Sequence, residues 1–219
     1  MTRRRIGRRW AFVPAMIGIW LLAGCVGGTQ IYPTLQQRSI SLNAGDLEAY
    51  GIGFLTPSAT TGQEEEKQAV ALVFAEVMQQ QRPRVRVVPL AETLGAVNKS
   101  GIADGYIRMY NDYRDSGLLK REILQQVGKV TGVRYLAQIK LQGFGQSAKD
   151  RWGTLGFRIV ETKSAHLRLF FQIWDSSDGT VAWEATQELH YSHDTVSERQ
   201  LTLPRVVGRA ARDLVSRLP

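Results

Sequence analysis

The sequence predicts a single α/β domain, because segments with helical periodicity alternate with short apolar segments typical of strands. The clearest helical pattern is Val70–Met78, where apolar residues recur at spacings of three and four. A strand–turn–strand pattern spans 167–191, with alternating apolar residues on both sides of Asp178-Gly179. A last helical pattern, Pro204–Leu218, closes the domain, with Val207, Ala211, Leu214 and Leu218 on one stripe and Arg205, Arg209 and Arg212 outside it.

Length and composition limit the possible classes of protein. The 219 residues suffice for one ordinary domain, and 43% hydrophobic with 22% charged residues excludes a disordered chain and a multi-span membrane protein. The net charge of +8 does not indicate a nucleic-acid partner. Five of the 28 basic residues are arginines in 1–24, which has no acidic residue, so the rest carries only +3. The single cysteine excludes an internal disulfide and a multi-cysteine metal site.

Residues 1–24 are predicted to be a lipoprotein signal peptide. A basic segment, Met1–Arg9, precedes the apolar segment Trp10–Gly24, which is shorter than the roughly 20 residues that a spanning helix needs. Leu22-Ala23-Gly24-Cys25 matches the lipobox of bacterial lipoproteins. This resemblance implies signal-peptidase cleavage after Gly24 and acylation of Cys25, so that two or more chains such as palmitate anchor the protein in a membrane. The alternative is a free or buried cysteine in an uncleaved anchor.

The residues after the lipobox predict location and organisation. Val26 stands where an aspartate would signal inner-membrane retention, which by analogy with enterobacterial sorting favours the periplasmic face of the outer membrane. Gly, Pro and polar residues with no sustained period predict that 25–48 is a lipidated flexible tether. The remainder, 49–219, is then one periplasmic α/β domain.

The first predicted strand is Tyr50–Thr56, which Pro57 ends. Thr61 and Glu64 have capping-box spacing, and Glu64–Glu66 lies at the positive end of the helix dipole. This position favours a helix start over a metal or acid–base cluster. The buried stripe of this helix is predicted to contain Val70, Val73, Phe74, Val77 and Met78.

A strand, Val85–Leu90, and a glycine-interrupted helical region, Ala91–Ser116, follow. Three tyrosines of this region, Tyr106, Tyr110 and Tyr113, either present a partner-binding face or complete the edge of the core, and both interpretations stay open. A helix over Leu119–Thr131 and a strand over Val133–Leu141 come next. The helix stripe contains Leu119, Ile123, Val127 and Val130, and one side of the strand carries Tyr135, Ala137, Ile139 and Leu141.

The register of the C-terminal hairpin follows from its apolar faces. A two-residue turn at Asp178-Gly179 would point them apart. A three-residue loop Ser177-Asp178-Gly179, with Gly179 left-handed, pairs Ile173 with Trp183 and Leu167 with Leu189, which gives one buried face. Asp175 and Asp178 are then turn formers rather than a catalytic carboxylate pair.

Catalytic motifs are absent from the sequence, which has no phosphate loop, nucleophile elbow or zinc-protease helix. Gly143-Phe144-Gly145 matches half of a nucleotide-binding fingerprint, without the third glycine or a following helix. His190 and His193 are ligand types, but residues three apart on a strand face opposite sides, which favours solvent-facing histidines over a shared metal. We therefore expect no enzymatic activity, no cofactor and no metal.

Two segments carry a family resemblance. Val127–Leu136 is a helix end, a glycine turn and a strand that begins Tyr-Leu, and Leu169–Trp183 is a hairpin of the form Asp-x-x-x-Gly-x-Val-x-Trp. Both resemble the bacterial lipoprotein superfamily of the curli-secretion lipoprotein and of the outer-membrane lipoprotein that activates a penicillin-binding protein. The resemblance covers about 49–218. It implies a three-layer-like α/β sandwich, with a small mixed sheet and helices on both faces, and a binding or assembly role without catalysis.

The leading functional hypothesis is a lipoprotein that docks on a cell-envelope protein, with no nucleic-acid partner. The alternative is an accessory or pore-forming subunit of an outer-membrane secretion system, a homo-oligomer in which the loop Gly143–Ala165 becomes a membrane hairpin. A spanning strand needs about 9–11 residues with an alternating apolar face, and neither Gly143–Ala165 nor His190–Leu203 has one. An enzyme that uses His190 and His193 is the third possibility.

Overall fold

The computed structural model describes residues 29–59, 64–154, 157–195 and 202–219, in which one seven-stranded sheet and six helices are found. The strands are β1 (Thr29–Ser39), β2 (Ile52–Phe54), β3 (Ser58–Ala59), β4 (Val87–Val88), β5 (Tyr135–Thr154), β6 (Phe157–Asp175) and β7 (Thr180–Thr195). The helices are α1 (Asp46–Tyr50), α2 (Glu64–Gln81), α3 (Leu90–Lys99), α4 (Ala103–Ser116), α5 (Arg121–Thr131) and α6 (Leu203–Ser216).

The sheet is mixed, as the sequence predicts. Its strand order is β1-β7-β6-β5-β2-β4, and the short β3 pairs with β5 beside β2. The four strands β1, β7, β6 and β5 pair antiparallel with one another, whereas β2 is parallel to both β4 and β5. The long antiparallel strands therefore form one side of the sheet and the short parallel strands form the other.

Helices cover both faces of the sheet, which confirms the three-layer fold. Side chains of α1, α2 and α6 form one hydrophobic core with β5, β6 and β7. Side chains of α3, α4 and α5 form a second core on the opposite face. Consecutive residues of β5, such as Leu136 and Ala137, are both fully buried because each faces one of these helical layers.

The predicted helix stripes are buried in two helices and rotated in the third. In α2, Val73 is half-buried and the other four predicted residues are buried. Val207, Ala211 and Leu214 of α6 are buried, and so is Leu218, two residues after the end of that helix. In α5 the buried residues are Leu124, Val127, Gly128 and Thr131, whereas Ile123 and Val130 are half-buried. The glycine allows this rotation, because the backbone at Gly128 lies so close to Ser176 that a Cβ would be 2.3 Å from its Oγ.

The predicted register of the C-terminal hairpin is confirmed, although it arises differently. Ile173 pairs with Trp183, and Leu167 pairs with Leu189. The loop is one residue longer than predicted, since Asp175 pairs with Thr180, and a register shift at Ala182 restores the alignment. The carbonyl of Ala182 accepts hydrogen bonds from the backbone N–H groups of residues 40–42.

Replacing Gly179 by alanine is expected to lower the free energy of unfolding by about 1–3 kcal/mol, because its φ of +78° is unfavourable for residues with a Cβ. The new Cβ would also lie 2.7 Å from the Cβ of Arg121. Urea denaturation measures the change. Gly143→Ala is the matched control: its Cβ would meet no atom within 4 Å, and an equal loss there would contradict this account.

Residues 29–48, expected to be a flexible tether, are folded where the structure describes them. β1 pairs with β7 from Thr29 to Ser39, and Leu42 and Leu47 are buried in the core. The composition was misleading because β1 is an edge strand, where solvent-facing polar residues are normal and Pro33 is tolerated. The described part of the domain therefore begins before residue 49.

The region Gly143–Ala165, expected to be a loop, belongs instead to a long β-hairpin. β5 continues to Thr154 and β6 begins at Phe157, with register shifts after Leu141, Asp150 and Trp152. Polar pairs join the strands there, and the Oγ atoms of Ser147 and Ser164 lie 2.7 Å apart. We call residues 143–154 and 157–168 the strand extension.

Candidate interaction surfaces

Two of the three tyrosines singled out in the sequence are residues of α4 whose side chains lie in the core. Tyr106 is 5% exposed and its hydroxyl accepts a hydrogen bond from the Thr56 N–H, and Tyr113 is 3% exposed and donates to Gln172 Oε1. Burial raises the pKa of Tyr113 to about 12 and also raises the pKa of Tyr106. Tyr110 is half-buried and donates to the Pro57 carbonyl at 3.1 Å. The positions of Tyr106 and Tyr113 agree with the core-edge interpretation, because their side chains are buried.

The lipobox residues Leu22, Ala23, Gly24 and Cys25, the signal peptide 1–24 and the helix-capping Thr61 lie outside the described residues. No helix of the described ranges is both long and apolar enough to cross a membrane.

An apolar groove lies between α2 and α3. It has a volume of about 470 Å³, and its lining includes Leu72, Pro89, Leu90 and Leu94. Leu72 of α2 is 57% exposed and Leu94 of α3 is 37% exposed, so neither leucine belongs to the buried face of its helix. Exposed apolar side chains that converge on one concavity are typical of surfaces that bind another molecule.

A second surface, which is polar, is formed by the strand extension together with the neighbouring residues of β7 and β1. His166 of β6 lies opposite His190 of β7 with ring centroids 4.4 Å apart, and His190 lies opposite Tyr32 of β1. Both histidines and Tyr32 are exposed, and the shallow cavity beside them, about 410 Å³, also contacts Ser164 and Ser192.

His190 and His193, the two histidines weighed as metal ligands in the sequence, are not brought together by a turn. β7 runs unbroken through His190 and His193, so the neighbour of His190 is His166 on the adjacent strand. Within the described part of the chain, no group of three or more His, Cys, Asp and Glu side chains is placed to hold a metal ion.

An ion pair joins Arg134, the residue before β5, to Asp175, the last residue of β6. Arg134 binds Asp175 through Nε, at 2.9 and 3.0 Å, and through Nη2 at 2.6 Å. The Arg134 guanidinium also lies 5.1 Å from the ring centroid of Tyr50 and 5.5 Å from that of Tyr135. Asp175 Oδ1 accepts from the Ser177 N–H, and Asp178 Oδ1 accepts from the Thr180 N–H, so both are the predicted turn formers.

The Arg134–Asp175 pair makes stability depend on pH. Burial alone raises the pKa of Asp175, but hydrogen bonds from Arg134 and Ser177 and the charge of Arg134 outweigh it and hold this pKa below its usual value. Because this pKa is lower in the folded state, the ion pair stabilises the protein at pH values above the unfolded-state pKa of about 4. The contribution is lost as the pH falls through the folded-state pKa.

Asp175→Asn is therefore expected to lower the free energy of unfolding at neutral pH by about 1–3 kcal/mol, since the lost hydrogen bonds are charged. The difference from the unmodified chain should shrink below about pH 4. Denaturation series at the two pH values measure both effects. Asp178→Asn, in an exposed turn, serves as the control; a constant difference across pH for Asp175→Asn would refute the assignment.

Sequence reasoning missed the groove and the polar face. The groove combines residues of two helices, and only Leu72, which lies off the predicted stripe of α2, marked it in the sequence. The polar face needs the pairing of β1, β6 and β7, which no local pattern indicates.

Comparison with known proteins gives structural similarity only. No protein-family model and no curated protein matches the sequence. The fold is similar to the PelC dodecamer of Paraburkholderia phytofirmans, with 12% identity, a TM-score of 0.41 and coverage of 85% of this chain and 94% of that chain. It is also similar to the lipoprotein GNA1162 of Neisseria meningitidis (11%, TM-score 0.38, 76% and 96%) and to the LpoB C-terminal domain of Salmonella enterica (10%, TM-score 0.33, 63% and 81%). Bacterial lipoproteins are thus among the similar structures, and scores this low assign the chain to no family or activity.

Proposed function

We propose that this chain is a lipid-anchored, non-catalytic lipoprotein of the bacterial cell envelope that docks on a protein partner. The observation that carries the proposal is Leu22-Ala23-Gly24-Cys25 at the end of a basic and then apolar leader. Acylated Cys25 anchors the domain, and Val26 favours the periplasmic face of the outer membrane.

The apolar groove between α2 and α3 supports a protein partner. Leu72 and Leu94, which are 57% and 37% exposed, would lose contact with water if an apolar segment occupied the groove, and the burial of apolar area favours binding. The sequence motifs of catalysis are missing, and a binding role requires none of them.

The alternative is a homo-oligomeric, accessory or pore-forming subunit of an outer-membrane secretion system. One feature favours it: among the described residues, β1 pairs only with β7, and residues 143–154 of β5 pair only with β6. Both strands offer a backbone edge to which a strand of a second copy can be added.

Site-specific photo-crosslinking in living cells separates the two candidates. A photo-reactive amino acid at Leu94 should give one main adduct with a second envelope protein, and the same amino acid at Ile107, exposed on α4 away from the groove, is the matched control. Loss of the adduct on adding Leu72→Glu would tie it to the groove. A ladder of self-adducts from a probe in β1, with none from Leu94, would favour the oligomer and contradict docking through the groove.

A further inference from the structure

We propose that the far end of the β5–β6 hairpin, residues 149–154 and 157–162, contacts the lipid–water interface of the membrane in which Cys25 is anchored. This inference rests on the proposed acylation of Cys25. It concerns a part of the chain that the docking proposal does not use, and we call these residues the hairpin end.

The chain between the proposed anchor and the first strand is short. Cys25 precedes Thr29, the first residue of β1, by four residues. Four fully extended residues span about 14 Å at most. Because β1 replaces most of the predicted tether, the start of β1 cannot be farther than this from the lipidated residue.

Residues of three other strands lie level with Thr29 in the sheet. Thr29 pairs with His193, His193 pairs with Lys163, and Lys163 pairs with Ala148. These four residues form one row across β1, β7, β6 and β5. The row marks the level at which β1 begins, and from Thr29 the chain continues toward Cys25.

The hairpin end projects beyond this row. β5 continues six residues past Ala148 to Thr154, which pairs with Phe157 at the start of β6. Six strand residues measure about 20 Å, which exceeds the longest reach of the anchor segment. When the strands point toward the membrane, the anchor therefore cannot hold the hairpin end clear of it.

The hairpin end combines apolar and basic residues. Its apolar residues include Trp152, Phe157, Ile159 and Val160, and its basic residues include Arg151 and Arg158. Tryptophan is enriched at membrane interfaces, and arginine is attracted to anionic headgroups. Lys149, Asp150 and Glu161 of the same strands oppose passage through the hydrocarbon, so the composition fits contact at the interface rather than a spanning hairpin.

The tryptophans of the chain provide the test. Trp10 and Trp20 leave with residues 1–24, and Trp174 and Trp183 are buried in the protein core at 4% and 1% exposure. Lipids that carry a nitroxide quencher near the glycerol backbone should therefore quench only Trp152 in the mature protein. The full chain is purified from membranes, its mass is measured to establish acylation, and it is reconstituted in phosphatidylethanolamine–phosphatidylglycerol vesicles.

The expected result is quenching by the shallow nitroxide, weaker quenching by a nitroxide near the end of the acyl chain, and loss of the effect in Trp152→Phe. Arg151→Gln combined with Arg158→Gln keeps Trp152 and should reduce the shallow quenching. Acylated protein without quenching would overturn this inference and leave the anchor intact, whereas stronger deep quenching would replace it by a spanning hairpin. A protein that retains residues 1–24 would overturn both the inference and the proposed anchor.

Discussion

Phe171→Ala is expected to lower the free energy of unfolding by about 3–5 kcal/mol, because the ring lies fully buried at the centre of the larger core. Its centroid is 5.2 Å from that of Phe74 in α2 and 5.5 Å from that of Trp183 in β7. The truncation removes contacts with both the helical layer and the neighbouring strand. Urea denaturation of the chain from residue 26 onward measures the loss.

Leu118→Ala is the matched control for this prediction. Leu118 is 59% exposed, so its truncation should change the free energy of unfolding by about 0.5 kcal/mol or less. Similar losses at Phe171 and Leu118 would mean that β6 does not form the centre of the core as described.

Cys25→Ser is expected to abolish lipid attachment. If Cys25 carries the acyl chains, the serine variant has none, and the resemblance to lipoproteins implies that it also keeps residues 1–24. Metabolic labelling with palmitate measures attachment, and mass spectrometry of the N-terminal peptide measures cleavage. The effect is large because two or more acyl chains anchor a protein stably in a membrane, whereas the serine variant would carry no acyl chain.

Val26→Asp complements this experiment, because it leaves Cys25 in place. Acylation should remain unchanged, while the analogy with enterobacterial sorting predicts a shift of the protein from the outer-membrane to the inner-membrane fraction. Palmitate incorporation in Cys25→Ser equal to that of the unmodified chain would contradict the anchor.

The parts of the fold that the sequence predicted correctly depend on local patterns. The pairing of Ile173 with Trp183 follows from alternating apolar residues on two strands joined by a short turn, where a slip of one residue would expose a whole face. The stripe of α2 follows from spacing alone. In both cases the residues that determine the structure are close together in the chain.

The parts that the sequence did not predict depend on distant pairing. β1 lacks an apolar signal because it lies at the edge of the sheet, and its partner β7 is more than 140 residues away. The strand extension likewise carries polar pairs such as Ser147 with Ser164. The tyrosines of α4 show the same limit, since their spacing could not distinguish a binding face from the core edge that Tyr106 and Tyr113 occupy.

The central claim, a lipid-anchored envelope protein, is tested most directly by the intact mass of the full-length chain purified from bacterial membranes. We expect a mass that lacks residues 1–24 and includes acyl groups that fragmentation assigns to Cys25. An unmodified Cys25 in a chain that retains the leader would contradict it, because the domain would then have an uncleaved anchor and the membrane contact of the hairpin end would lose its basis.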